Sequence, residues 1–203
     1  MKSYKTLLII FLLINTSLFA QQYSTLNIGQ EMPMQNIEIF DIYDKSTTLS
    51  KNLKRNGLLV VFTSNSCPFV VMWEDRYKLL EEKCKNSDIG MVYINSNQAK
   101  RDGDDSVKEM KNHSMKMGYT YPYLIDENSK IANSFGAKTT PHIFLLNNKK
   151  LLVYKGAIDD NYKSINDVTK NYLLDAMQEV SNQKNVSTPE TKAVGCSIKR
   201  VRK

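Results

Sequence analysis

The segment Leu58-Leu59-Val60-Val61-Phe62-Thr63-Ser64-Asn65-Ser66-Cys67-Pro68, with its continuation to Cys84, decides how the rest of the chain is read. Its first five residues are an unbroken aliphatic, β-branched and aromatic run behind Gly57, the composition of a central strand covered on both faces. Thr63 to Cys67 then makes a tight polar turn. Pro68 follows where a helix takes its first residue, because no N–H is needed there and proline's φ is already helical. From Phe69 the apolar positions Phe69, Trp73, Tyr77, Leu80 and Cys84 recur at four, four, three and four residues, one face of a helix. Glu74, Asp75, Glu81 and Glu82 fall off that stripe. Cys67 therefore stands at a helix N-terminus, where unpaired N–H groups and the helix dipole favour its thiolate. The competing reading is a small buried hydrophobe.

Upstream, Met1-Lys2-Ser3-Tyr4-Lys5 precedes an apolar run from Leu7 to Ile14 and then Ser17-Leu18-Phe19-Ala20, the charged, apolar and small-residue order of an export signal cleaved after Ala20. An uncleaved anchor is the alternative, but the run is shorter than the ~20 residues a membrane span needs. The protein is accordingly expected outside the cytoplasm, periplasmic or otherwise exported. There, three cysteines allow one disulfide and leave one over. At 203 residues and 41% hydrophobic content the chain supports one domain with extensions. The formal charge of +7 does not imply nucleic acid: Lys2 and Lys5 leave with the signal, and Lys192, Lys199, Arg200, Arg202 and Lys203 read as a solvated basic tail against Glu190.

Residues 21–34 read as a lead-in, 35–182 as the domain and 183–203 as a C-terminal tail carrying Cys196. Asn36 to Ile42 alternates as a half-buried strand, and Thr47 to Arg55 suggests a short strand and a helical turn closed by Gly57. Ile89 to Asn95 is a second apolar run, so strand, helix and strand form a βαβ unit with parallel neighbours. Ser106 to Glu109 fits a capping box opening a helix to Gly118, and Lys130 to Phe135 a short helix stopped by Gly136. Met110, Met115 and Met117 read as core fillers and His113 as a surface residue. Thr140-Pro141 introduces a hairpin, His142 to Leu146 with Leu151 to Gly156, and a cis bond is expected there. Ser164 to Asp167 fits a second capping box, opening a final helix with Val168, Tyr172, Leu173, Met177 and Val180 on one face.

This order of elements resembles the thioredoxin-like fold: α/β, a mixed central sheet flanked by helices, in a single domain. The resemblance extends to motifs: Thr63 to Val70 with Glu74-Asp75-Arg76, Tyr93 to Asn97, Tyr121 to Glu127, Phe135-Gly136-Ala137 with Thr140-Pro141, Tyr154-Lys155-Gly156 with Ile158-Asp159-Asp160, and Gly195-Cys196-Ser197-Ile198-Lys199. They are similar to the peroxiredoxin-like branch of the redoxin family, the alkyl hydroperoxide reductase and thiol-specific antioxidant group. Many relatives carry Cys-x-x-Cys-Pro where this chain has Ser64 and Cys67, so an exchange confined to the turn is impossible. A hydroxyl three residues before a lone cysteine is similar to the peroxiredoxin arrangement, in which it bonds the thiolate or the bound peroxide. The alternative for Ser64 is a turn residue satisfying its own backbone.

A peroxidase also needs a cation at the thiolate. Arg76 lies nine residues past Cys67, roughly 13 Å along the helix, which is too far, and His142 beside the expected cis proline is the remaining candidate. Copper-site assembly proteins of this fold use Cys-x-x-x-Cys-Pro, but Thr63 occupies the first of those positions, so neither metal nor other cofactor is expected. The implied activity is a thiol oxidoreductase with Cys67 as nucleophile, Ser64 beside it, and Thr140, Pro141 and His142 as the substrate groove. Its partners would be a peroxide or a disulfide-bearing protein and a thiol reductant. The alternative is a binding module of the same fold without turnover. Cys84, on the apolar stripe, is expected to be inert, which leaves Cys196 as candidate resolving thiol, delivered by a patternless segment from Asn182 to Ala193 that can sample distances.

Overall fold

The computed structural model describes residues 23–201, so the export signal read at Met1 to Ala20 lies outside the described residues. The elements in chain order are β1 (Ile39–Phe40), β2 (Ser46–Thr47), α1 (Leu49–Asn52), β3 (Leu58–Thr63), α2 (Pro68–Trp73), α3 (Tyr77–Asn86), β4 (Gly90–Asn95), α4 (Val107–Met117), β5 (Tyr123–Ile125), α5 (Lys130–Phe135), β6 (Thr139–Thr140), β7 (His142–Leu146), β8 (Leu152–Gly156), α6 (Tyr172–Ser181) and β9 (Cys196–Ser197). The central sheet runs in the order β5-β4-β3-β7-β8. β3 lies parallel to β4 and antiparallel to β7, so the sheet is mixed and the Leu58 to Thr63 run is its middle strand. Every residue of β3, β4 and β7 is buried, which is why these strands carry apolar runs instead of alternation.

Two cores follow from the pleat. Leu59 and Val61 face Trp73, Tyr77, Leu80 and Cys84 from the helix that follows β3, and Met177 and Val180 from α6. On the other face Leu58, Val60 and Phe62 meet Leu49, Ile131 and Phe135. There Phe62, Phe135 and Phe144 pack edge to face with centroids 5.2–5.6 Å apart. α4 begins at Ser106, whose hydroxyl accepts from Glu109 N at 3.3 Å, and ends at Gly118 with φ +69°. α5 ends likewise at Gly136, and β7–β8 is the expected hairpin.

Several expectations are corrected. The helix after Cys67 is interrupted by a 3₁₀ turn at Glu74–Arg76, where the Arg76 guanidinium donates to Met72 O at 3.0 Å and occupies a carbonyl the α-ladder would use. Glu74 and Glu81 are buried although they fall off the apolar stripe: Glu81 accepts from Tyr93 and Thr120, and Glu74 from Tyr119 and pairs with His113, which is thus partly buried. Met110 is core, but Met115 and Met117 are exposed. The Ser164 capping box does not form: Ile165–Asp167 makes only a 3₁₀ turn, the Asp160 carboxylate takes Thr169 N at 3.0 Å and Lys170 N at 3.1 Å just beyond it, and α6 begins only at Tyr172.

The largest correction concerns the segment after Asn182. It is docked rather than patternless: Thr191 N bonds Lys155 O, Lys155 N bonds Pro189 O, β9 pairs antiparallel with β6, and Ile198 is buried. Arg200, read as a solvated tail charge, donates to Asn133 Oδ1 at 2.7 Å and to Ala137 O at 2.6 Å.

Candidate functional site

Cys67 caps α2 with extended backbone, and Pro68 takes the first helical position as the sequence implied. Thr140-Pro141 is a cis peptide, and it brings the Thr140 carbonyl to 3.0 Å from Cys67 Sγ, which donates to it as the neutral thiol. The adjacent pairing places Cys196 opposite Thr140 in the β6–β9 ladder. Cys196 therefore packs against the core cluster that contains Cys67, and both are free thiols. Cys196 is placed there by a paired strand and not by the chain freedom expected of the segment after Asn182.

The electrostatics of the pair are asymmetric. Burial alone would push the Cys67 thiol up, but the Cys196 thiol, Thr140, and the N–H groups of Val70 and Cys196 all stabilise the anion, and the net effect lowers its pKa. The Thr140 hydroxyl is buried with no hydrogen-bond partner of its own. Cys196 is shifted the other way, raised first by burial and then by the Cys67 sulfur, against weaker help from Phe69 N–H and Lys199. The two sulfurs thus share the first N–H groups of α2. Cys84 lies in the core, where burial and Glu81 push its thiol far up.

Two sequence-named candidates, His142 and Ser64, do not stand where they were expected, and Arg76 is held elsewhere, as its distance along the helix implied. His142 is buried, its Nδ1 accepts from Lys138 N at 3.2 Å and its ring packs on Phe144, on the sheet face opposite Cys67. Burial, with Lys155 and Lys138 nearby, pushes its pKa down to about 3, so it is neutral and cannot be the cation at the thiolate. Arg76 is likewise committed elsewhere, to Asp159 Oδ2 at 3.1 Å. Ser64 is engaged by Asp105, its hydroxyl shared between both carboxylate oxygens at 3.1 Å.

That carboxylate is a feature the sequence analysis did not single out. Asp105, fully buried, also accepts from Asn65 N at 2.9 Å, Ser66 Oγ at 3.2 Å, Asn95 Nδ2 at 2.7 Å and Asn97 Nδ2 at 2.9 Å. It fixes the turn that presents Cys67. The available signal was Asn95-Ser96-Asn97, three polar residues at the carboxyl end of a strand parallel and adjacent to β3, where α/β sheets place their sites. Among the described residues no group of three or more His, Cys, Asp or Glu is arranged to hold a metal ion.

Solved structures share this architecture. A hypothetical protein of Sinorhizobium meliloti 1021 is similar at 29% identity and TM-score 0.80, over 89% of this chain and 98% of its own. An uncharacterized conserved protein of Geobacillus kaustophilus matches at 25% identity and TM-score 0.81, over 88% of this chain and 95% of its own. The peroxidoxin BcpB of Mycobacterium tuberculosis, at 16% identity and TM-score 0.53 over 77% of this chain and 94% of its own, shares the fold. No curated protein matches. The redoxin family model covers residues 28–187, spanning the central sheet, the Cys67 turn and the cis Thr140-Pro141 loop, and the chain belongs to the redoxin family, within the thioredoxin-like superfamily.

Proposed function

We propose that this redoxin is a thiol–disulfide oxidoreductase that cycles between the dithiol and a Cys67–Cys196 disulfide. The observation that carries the reading is the meeting of both thiols at Thr140, which pairs with Cys196 across the β6–β9 ladder and receives the Cys67 thiol on its carbonyl at 3.0 Å, with Cys67 made more acidic and Cys196 less so. The Cys67 thiolate attacks one sulfur of a substrate disulfide, the S–S bond breaks, and one substrate thiolate leaves and takes up a proton. Once Cys67 is tied up in the mixed disulfide, its negative charge no longer opposes ionisation of Cys196. The Phe69 N–H and Lys199 then favour the Cys196 thiolate, which attacks Cys67 Sγ and releases the second substrate thiol. The protein disulfide has taken the place of the substrate disulfide, and an external dithiol returns the two electrons.

The same pair could resolve a Cys67 sulfenic acid after peroxide attack, with water leaving. The groups that would polarise a peroxide are engaged elsewhere, however: Ser64 with Asp105, Arg76 with Asp159, and His142 neutral on the other face. The acidified Cys67 argues for turnover and against a binding module. The Met1 to Ala20 signal supports an exported site of action. Reduction of a fluorescent mixed disulfide, run beside peroxide consumption, tests the reading. Wild-type protein should turn over the disulfide, Cys67→Ser should be inactive and Cys196→Ser should stall as a trapped mixed disulfide. Equal turnover by Cys67→Ser would refute it.

A further inference from the structure

The thiol pair needs a fixed spacing, yet Cys67 and Cys196 sit on segments 129 residues apart in sequence. One side chain bonds to both segments. Asn97, buried in the loop after β4, donates from Nδ2 to Ser64 Oγ at 3.0 Å and to Asp105 Oδ2 at 2.9 Å, and so belongs to the bracket that shapes the Cys67 turn. Its Oδ1 accepts from Lys199 N at 2.8 Å, at the end of the segment that carries Cys196. Ser64 lies three residues before Cys67 and Lys199 three residues after Cys196, so the amide spans the pair at equal reach on each side. Its own N–H bonds Asn95 Oδ1 at 3.1 Å, and the neighbouring Ala99 N bonds Lys199 O at 2.8 Å, which holds the amide and the strand end in place.

We infer that Asn97 is a positioning residue that sets the distance between Cys67 and Cys196, coupling the active turn to the C-terminal strand. This rests on the dithiol reading above and adds what holds the dithiol together. Asp105 also holds the turn through its own bonds to Ser64, Asn65 and Ser66, so loss of Asn97 leaves most of the bonds that shape the turn while removing the side-chain bridge from the turn to the strand end. A residue that merely supported the fold would affect both together.

The test measures two quantities on the full chain. In the first, the dithiol is equilibrated with reduced and oxidised glutathione, which gives the effective concentration of the pair. Asn97→Ala is expected to lower it by about tenfold, the scale of one lost buried hydrogen-bonded bridge. In the second, iodoacetamide alkylation of Cys67 in a Cys196→Ser background should stay within about twofold of its value with Asn97 present, and with the same pH midpoint, because the Asp105 bonds to Ser64, Asn65 and Ser66 still hold the turn. An unchanged effective concentration, or a matching loss of Cys67 reactivity, would overturn the inference. Amide exchange on the unmodified protein checks it independently of any variant: Lys199 N–H should be as protected as Asn65 N–H, and rapid exchange at Lys199 alone would overturn it. If unmodified protein forms no Cys67–Cys196 disulfide, the functional reading falls and this inference with it. If unmodified protein forms the disulfide and Asn97→Ala forms it equally well, only the inference falls.

Discussion

Gly195→Ala is expected to disable the thiol pair while touching neither sulfur. Gly195 precedes the Cys196 strand and packs against the backbone of the cis-proline loop: a Cβ built there would stand 2.2 Å from Thr140 O, 2.6 Å from Thr140 C and 3.1 Å from Pro141 N. Ordinary contact begins at 3.4 Å, so the Thr140 carbonyl and the strand must part by about 1 Å, and both are backbone, unable to swing aside as a side chain would. Overpacking of this kind costs about 1–3 kcal/mol. The displacement falls on Thr140, whose carbonyl receives the Cys67 thiol and whose ladder partner is Cys196. Misplacement on the order of 1 Å between reacting groups costs roughly a hundredfold, so the effective concentration of the pair should drop by about 10- to 100-fold. Equilibration with glutathione, acid quenching and mass analysis of alkylated forms measure it, and a thermal melt shows that the variant is folded. If Gly195→Ala closes the disulfide as readily as the parent, the β6–β9 ladder does not set the geometry and the reasoning fails.

Removing the Cys196 thiol takes away a neighbour that favours the Cys67 anion, so in Cys196→Ala the alkylation midpoint of Cys67 should rise; a fall would contradict the assigned cause. Cys84→Ala should leave disulfide formation intact at a cost of about 1 kcal/mol, and native protein should show no Cys84 alkylation at neutral pH, since burial holds the thiol protonated. His142 binds a proton far more weakly folded than unfolded, so it contributes stability above pH 6.5 that is lost as pH falls toward about 3. Urea unfolding between pH 6.5 and 4.5 should therefore show a shallower slope in His142→Phe, by on the order of 1.4 kcal/mol per pH unit at most; parallel slopes would mean the imidazole is charged. Asp105→Ala leaves the donors of the turn unpaired in a dry site and should cost about 3–5 kcal/mol, measured by chemical denaturation. A loss under 1 kcal/mol would show that these donors find other partners.

The fold was legible because its deciding segment carries its instructions locally. Leu58 to Phe62 can only be a covered strand, Pro68 opens a helix, and Ser106, Gly118 and Gly136 mark helix ends by their own chemistry. The misreadings lie where distant groups override a local signal. Ser164 carries a capping-box pattern, but the Asp160 carboxylate captures the following amides. Arg76 breaks the helical ladder because Asp159, far along the chain, fixes its guanidinium. At the site, Cys67 and Thr140-Pro141 were readable from the turn and the proline. The fate of Ser64 was not, since it depends on Asp105, forty-one residues on. The docked tail was hidden for a related reason: β9 is two residues long and its partner is two residues long, too short for any periodicity to register.

Whether Cys67 and Cys196 form one redox unit is read from a peptide map of the oxidised full-length protein. Protein treated with oxidised glutathione is quenched, alkylated, denatured and digested without reductant. The account predicts a Cys67–Cys196 linked peptide from monomeric protein, with Cys84 alkylated only after denaturation. Cys67 recovered as a glutathione adduct or sulfinic acid while Cys196 remains a thiol, or a link found only between two chains, would contradict it.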